Sequence, residues 1–212
     1  MKRFKVWASI VLVAAAVLAG LYAWWSLDLR WRPTTLKKNA PQIAAALQSA
    51  GWVSPGLKGP KLYIISYRAC EDCILFEKTK MPALRAAGVE TRVIMTPRPT
   101  RNGVVRSSPA ERATIAELWA NRSWPLYERW RSVPPDAWKA EGVPPADGDA
   151  ARTALVKVSE DFVATMTPLL KDNGVALAYP TLIWEAKDGG LHTLAWREGV
   201  RYDAMMKELG AG

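Results

Sequence analysis

The chain has two cysteines, and they stand three residues apart in "YRACEDCILF", as Cys70 and Cys73. Their surroundings constrain the fold more than any other feature. The run "KLYIISY" (61–67) before them is apolar, β-branched and aromatic, and it follows Gly59-Pro60, which marks a short buried strand. After them, "ILFEKTKMPALRAAG" reads as a helix that Pro82 kinks and Gly88 closes. The cysteines therefore sit where a strand hands the chain to a helix. At such a junction unpaired backbone N–H groups and the helix dipole favour an anion, which makes the first sulfur the attacking thiolate. The second lies on the same helix face, close enough to form or resolve a disulfide.

Other chemistries for two cysteines are weaker. Zinc needs about two more ligands, and the chain has no third cysteine and a single histidine, His192. A Cu(I) site built from Cys70, Cys73 and His192 is allowed by ligand softness, although a histidine in a hairpin strand is more often a surface residue. A disulfide closing so small a loop constrains the unfolded chain little, which argues against a pure staple. Redox exchange is the favoured reading, with staple and copper site as open alternatives.

The remaining elements indicate an α/β chain. "NAPQIAAALQSAG" (39–51) predicts a helix, with Asn39 near the cap and Pro41 in the first turn. "ETRVIM" (90–95) predicts a second strand. "SPAERATIAELWA" opens with Ser108, Pro109 and Glu111, a capping-box start. It begins a mostly helical block over about 108–173. Its Trp119, Trp124, Trp130 and Trp138 either line a peptide-binding face or, more commonly, pack a helical layer onto the sheet. "TLIWEA" and "LHTLAW" flank Lys187-Asp188-Gly189-Gly190 and predict a β-hairpin, followed by a short final helix, "YDAMMKELG". Pro180, just ahead of the first hairpin strand, suits a cis X-Pro loop and equally an ordinary strand start.

The N-terminus is a separate unit. Residues 6–25 carry no charge, enough for a helix to cross a bilayer, and they end in Trp24-Trp25 at the depth of an aromatic belt. An uncleaved membrane anchor over 1–25 is expected, with a cleaved signal peptide as the alternative. A basic linker (26–38) follows, then one domain over 39–212. Residues 1–38 hold +6 of the chain's net +9, so the high isoelectric point is mostly a membrane-proximal effect. Anionic headgroups suit it better than nucleic acid, which would need a basic face on the folded part. Basic residues flank the apolar run on both sides, so charge alone assigns no orientation.

"LYIISYRACEDC" with a proline-containing helix after it, and "YPTLIWEAKDGGLHTLAW" with a final helix, resemble the thioredoxin fold. The likeness covers roughly residues 58–210 and is closest to the catalytic domain of the periplasmic disulfide isomerases DsbC and DsbG. Their helical insertion also matches in position and character. The resemblance implies a thiol-disulfide oxidoreductase in the bacterial periplasm, where oxidising conditions let a disulfide persist. Cys70 would be the nucleophile and Cys73 the resolving thiol. Pro180 would be the cis-proline against the disulfide, and the Tyr179 backbone would pair with substrate. No soluble cofactor is implied beyond the Cys70–Cys73 couple, and no metal. Disulfide-bearing envelope proteins would be the substrates, and a membrane thiol reductase the electron donor.

Three features depart from that pattern. The N-terminal dimerisation domain of these isomerases has no counterpart. Tyr179 stands where they carry a small residue. Glu71 and Asp72 are an unusual dipeptide between the cysteines, and each carboxylate disfavours the thiolate by on the order of 0.5–2 kcal/mol. Arg68, two residues before Cys70, would oppose them. A disfavoured thiolate makes a weaker oxidant, which leans toward reduction or isomerisation. A disulfide oxidase, or a non-enzymatic copper-delivery or scaffold module, are the alternatives.

Overall fold

A computed structural model describes residues 2–27, 29–197 and 200–212. Its centre is a six-stranded sheet in the order β1-β6-β5-β3-β4-β2. These are β1 (Thr34–Thr35), β2 (Trp52–Val53), β3 (Lys61–Ser66), β4 (Glu90–Met95), β5 (Thr181–Glu185) and β6 (Leu191–Ala195). β3 and β4 are parallel, while β5 runs antiparallel to β3 and forms a hairpin with β6. Parallel strands need a crossover, and the one between β3 and β4 carries the helix that begins at the cysteines. This arrangement, closed by the C-terminal helix, is thioredoxin-like, as the motifs predict.

Both faces of the sheet are covered, which explains why β3 reads as an unbroken apolar run. Side chains alternate along a strand, and the two sets enter different cores. Leu62, Ile64, Val93, Leu182 and Trp184 pack with Phe76, Met81, Leu84, Trp130 and Met205. Tyr63, Ile65, Ile94 and Ile183 pack with Ile43, Leu47, Phe162, Met166 and Leu170. The first layer is supplied by α3 (Glu71–Thr79), α4 (Met81–Ala86), α5 (Pro109–Asn121), α6 (Trp124–Arg131) and α8 (Asp203–Glu208). The second comes from α2 (Ala40–Ser49) and α7 (Ala150–Lys171).

Several local expectations are refined. The helix after the cysteines is two helices rather than one kinked helix, with Lys80 between them. Pro82 lacks an N–H and crowds the preceding turn, so it starts α4 instead of continuing α3. Gly88, at φ 77°, ends α4 in a conformation that suits glycine. The helical block starts on a complete capping box between Ser108 and Glu111. Trp130 is fully buried, and Trp119, Trp124 and Trp138 pack against the same core. These four tryptophans fasten the insertion to the sheet rather than form a free peptide-binding face.

Two edge strands were not anticipated, because two residues carry no period. Thr34 and Thr35 pair with β6, and Leu36 behind them is buried. The sheet therefore begins inside the stretch assigned to the basic linker. Ahead of it, α1 (Lys2–Leu27) leads into a 3-10 turn, Leu29–Trp31. Among the described residues one helix is long and apolar enough to cross a membrane, with a window at Ile10–Trp31, none of which is buried. It is a candidate transmembrane span.

Candidate active site at the strand-to-helix junction

Cys70 and Cys73 form a disulfide with their Cα atoms 5.1 Å apart. Cys70 is the N-cap of α3, and the Cys73 backbone N–H donates to its Sγ at 3.1 Å. A helix N-terminus leaves such donors unpaired, so a Cys70 thiolate would have a preformed partner. Cys70 retains 4% exposure and Cys73 1%. An external thiol or disulfide therefore meets Cys70 first, and Cys73 is shielded behind it.

The Tyr179–Pro180 peptide is cis. Pro180 is buried, and the Tyr179 carbonyl oxygen lies 3.5 Å from Cys70 Sγ. The β5 approach to the disulfide is thus backbone, with an acceptor aimed at the sulfur. The Tyr179 ring stands edge-on to Tyr67, centroids 5.0 Å apart. Burial raises the Tyr179 phenol above its ordinary range, and its hydrogen bond to Thr96 pulls it back. The ring is thereby held to the side by Tyr67 and Thr96. Tyr67 ends the run that reads as strand, and nothing in its spacing distinguishes it from a core tyrosine.

The three residues proposed to tune the thiol are not gathered together. Glu71 is exposed and Asp72 half-buried on the first turn of α3. Arg68 is buried and donates from Nη2 to the Val133 carbonyl beyond α6. Burial lowers its pKa, while nearby Tyr127 and Glu111 raise it. Arg68 thus bonds toward the insertion, through the Val133 carbonyl, while Glu71 is exposed.

The spacing did hold one unused signal. Glu77 follows Cys73 by four residues, on the same face of α3, and it is buried and paired with Arg131 of α6. Burial, with the neighbouring charge of Arg68, brings Arg131 down to about 10. A carboxylate–guanidinium pair therefore lies under the redox helix, contributed half by the helix and half by the insertion.

Beside the disulfide, Asp72, Leu75 and Phe76 of α3 face Trp196, Arg201 and Tyr202 across an open groove of about 570 Å³. Burial, then the charge of Asp72, pushes the Tyr202 phenol up to about 12. His192 does not join the site. It pairs with Trp184 three residues along β6 from Ala195, its Nδ1 is 3.0 Å from Glu208 and its Nε2 is 3.2 Å from Thr35. The copper arrangement that recruits His192 therefore lacks its third ligand. Among the described residues no group of three His, Cys, Asp or Glu side chains is placed to hold a metal ion.

No protein-family model matches the chain, and no curated protein matches it. Among solved structures it is similar to BcfH of Salmonella enterica Typhimurium, with TM-score 0.53 and 14% identity, over 98% of this chain and 91% of that one. It also aligns with a periplasmic thioredoxin-like protein from Salmonella enterica serovar Typhimurium, with TM-score 0.48 and 18% identity, over 80% of this chain and 94% of that one. At 14% identity the likeness to BcfH is one of fold.

Proposed function

We propose that this protein is a thiol-disulfide oxidoreductase that reduces or isomerises disulfides in envelope proteins, anchored by α1 with its sheet domain in the periplasm. The observation that carries the reading is the Cys70–Cys73 disulfide capping α3, with the Cys73 N–H on one side of Cys70 Sγ and the Tyr179 carbonyl on the other. A staple needs neither a donor for the sulfur nor a backbone carbonyl set against it. The resemblance to the DsbC and DsbG catalytic domains supports reduction or isomerisation over oxidation, as does the acidic Glu71-Asp72 pair.

In the reaction, the Cys70 thiolate attacks one sulfur of a substrate disulfide. A Cys70–substrate S–S bond forms as the substrate bond breaks, and a substrate thiolate leaves. The Cys73 thiol, on losing its proton, then attacks Cys70 Sγ. The internal disulfide closes, and the second substrate sulfur departs and is protonated. Two electrons have passed to the substrate. If a substrate thiolate resolves the intermediate instead, Cys70 leaves reduced and the substrate is rearranged. The Tyr179 backbone pairs with the extended substrate segment, and a membrane thiol reductase regenerates the dithiol in the reducing cycle.

The test is Cys73→Ser in the full chain. With no resolving sulfur, it should accumulate a mixed disulfide through Cys70 with a disulfide-bonded substrate such as insulin, visible on non-reducing gels. Cys70→Ser should trap none. Equal trapping by both variants, or by neither, would refute the assignment.

A further inference from the structure

The strand register brings the disulfide to the same end of the sheet as the apolar helix. β1 runs antiparallel to β6, with Thr34 opposite Thr193 and Thr35 opposite His192. Following the chain back from Thr35 toward Leu27 therefore leads toward the Ala195 end of β6. There, Ala195 faces Thr181, and the Trp196 N–H donates to the Pro180 carbonyl at 2.9 Å. β3 delivers the chain to Cys70 at this same end, because Ile65 pairs with Thr181. The hairpin turn at 186–190 lies at the opposite end.

The connection to α1 is short and fastened. Leu27 and Thr34 are seven residues apart, at most about 25 Å of extended chain, and the 3-10 turn shortens it. Arg201 Nη1 donates to the Leu27 carbonyl at 3.3 Å, and Arg201 also lines the groove beside Asp72 and Leu75. Two guanidinium groups stand against the Trp31 ring, Arg30 at 4.8 Å and Arg197 at 4.9 Å from its centroid. Two cations on one ring repel each other, and an anionic headgroup beside them relieves that repulsion. The groove joins the two regions, because its lining includes Asp72, which stands between the cysteines, and Arg201, which is bonded to Leu27.

We infer that the Cys70–Cys73 pair faces the bilayer and exchanges with polypeptides whose cysteines lie at the membrane surface. The inference rests on the exchange reading of the cysteines and on α1 spanning the membrane. It adds the substrate class: membrane-embedded or membrane-tethered proteins rather than freely diffusing ones.

The test uses the reduced full chain in vesicles containing phosphatidylglycerol. The probe is a fluorogenic disulfide peptide coupled to a lipid headgroup through a spacer. One spacer has about three residues, and the other about thirty prolines, which span about 90 Å. The short-spacer peptide should be reduced at least about tenfold faster, because the long one spreads its disulfide through a far larger volume and seldom brings it to the surface. Equal rates, with glutathione disulfide in solution also reduced, would overturn this inference alone. Failure to reduce either peptide or glutathione disulfide would overturn the exchange reading and this inference with it. Orientation has its own readout in a Cys70→Ser, Cys73→Ser chain. A fluorophore at Leu75→Cys should be quenched by headgroup-labelled lipid more than one at Lys187→Cys, and equal or reversed quenching would contradict the placement.

Discussion

At the scale of single residues, the site depends on what surrounds one sulfur. Cys70 Sγ has a backbone donor, the Cys73 N–H, and a backbone carbonyl, that of Tyr179, against it. The charges that bear on it come from α3: Asp72 near the surface, and Glu77 buried beneath and paired with Arg131. Glu77→Gln removes a buried negative charge about one helical turn from Cys73. The thiolate is then less disfavoured and the couple becomes more oxidising. A charge interaction of about 1–2 kcal/mol at that range corresponds to a rise of roughly 20–40 mV. The same change leaves Arg131 without its carboxylate and should lower stability by several kcal/mol, on the order of 3–5. Measuring the potential by glutathione equilibration and stability by urea separates the two effects. An unchanged potential with lowered stability would make Glu77 purely structural. The pairing of the two cysteines is legible in sequence, because spacing carries it, whereas Pro180 suits a cis loop and an ordinary strand start equally, and only the structure gives the cis peptide. The direction of Arg68 is not legible, since proximity along the chain to Glu71 says nothing about which side of the loop the guanidinium leaves from. Tyr67 and Glu77 carry no signal by type, because a tyrosine ending a strand and a glutamate in a helix are both ordinary.

At the scale of elements, the long periodic segments were readable and the two-residue strands were not. β3, β4 and the β5–β6 hairpin fall where the apolar runs lie, and α5 begins at its capping box. β1 and β2 owe their existence to the neighbours they pair with. One joint between elements is unusually close. A Cβ on Gly51 would come within 2.5 Å of the Trp119 ring and 2.6 Å of its Cα. The turn from α2 into β2 thus rests directly on α5. Gly51→Ala should destabilise by about 1–3 kcal/mol through overpacking, read as a lower urea midpoint with unchanged slope. No change would mean that α5 is free to move away. The insertion is also tied by Arg112 and Asp147, whose hydrogen bond holds the carboxylate below its ordinary 3.8. A depressed carboxylate contributes stability above its unfolded pKa and loses it as pH falls through the folded value. Because Asp147 is half-exposed, the contribution should be under about 1 kcal/mol. Asp147→Asn should therefore cost little at neutral pH and flatten the stability loss that sets in as pH falls below the ordinary carboxylate range. A variant as acid-sensitive as the parent would exclude this pair.

At the scale of the whole molecule, sequence and structure agree on a thioredoxin-like domain with a helical insertion behind one apolar helix. The boundary between them is where the structure adds most. The basic stretch 26–38 has no periodicity, and its composition suggests a linker, yet Thr34 to Leu36 are built into the sheet and its core. Pairing across some 160 residues of chain cannot be read from local pattern, and it is this pairing that aligns the redox end with α1. If Cys70 and Cys73 form a working exchange couple, the reduction potential of the full-length protein in detergent shows it, by equilibration with glutathione buffers and thiol trapping. A reversible couple between about −120 and −270 mV is predicted, toward the lower end because of the acidic dipeptide. A disulfide that stays closed below about −300 mV, or thiols that never pair, would contradict the account and leave Cys70–Cys73 as a structural staple.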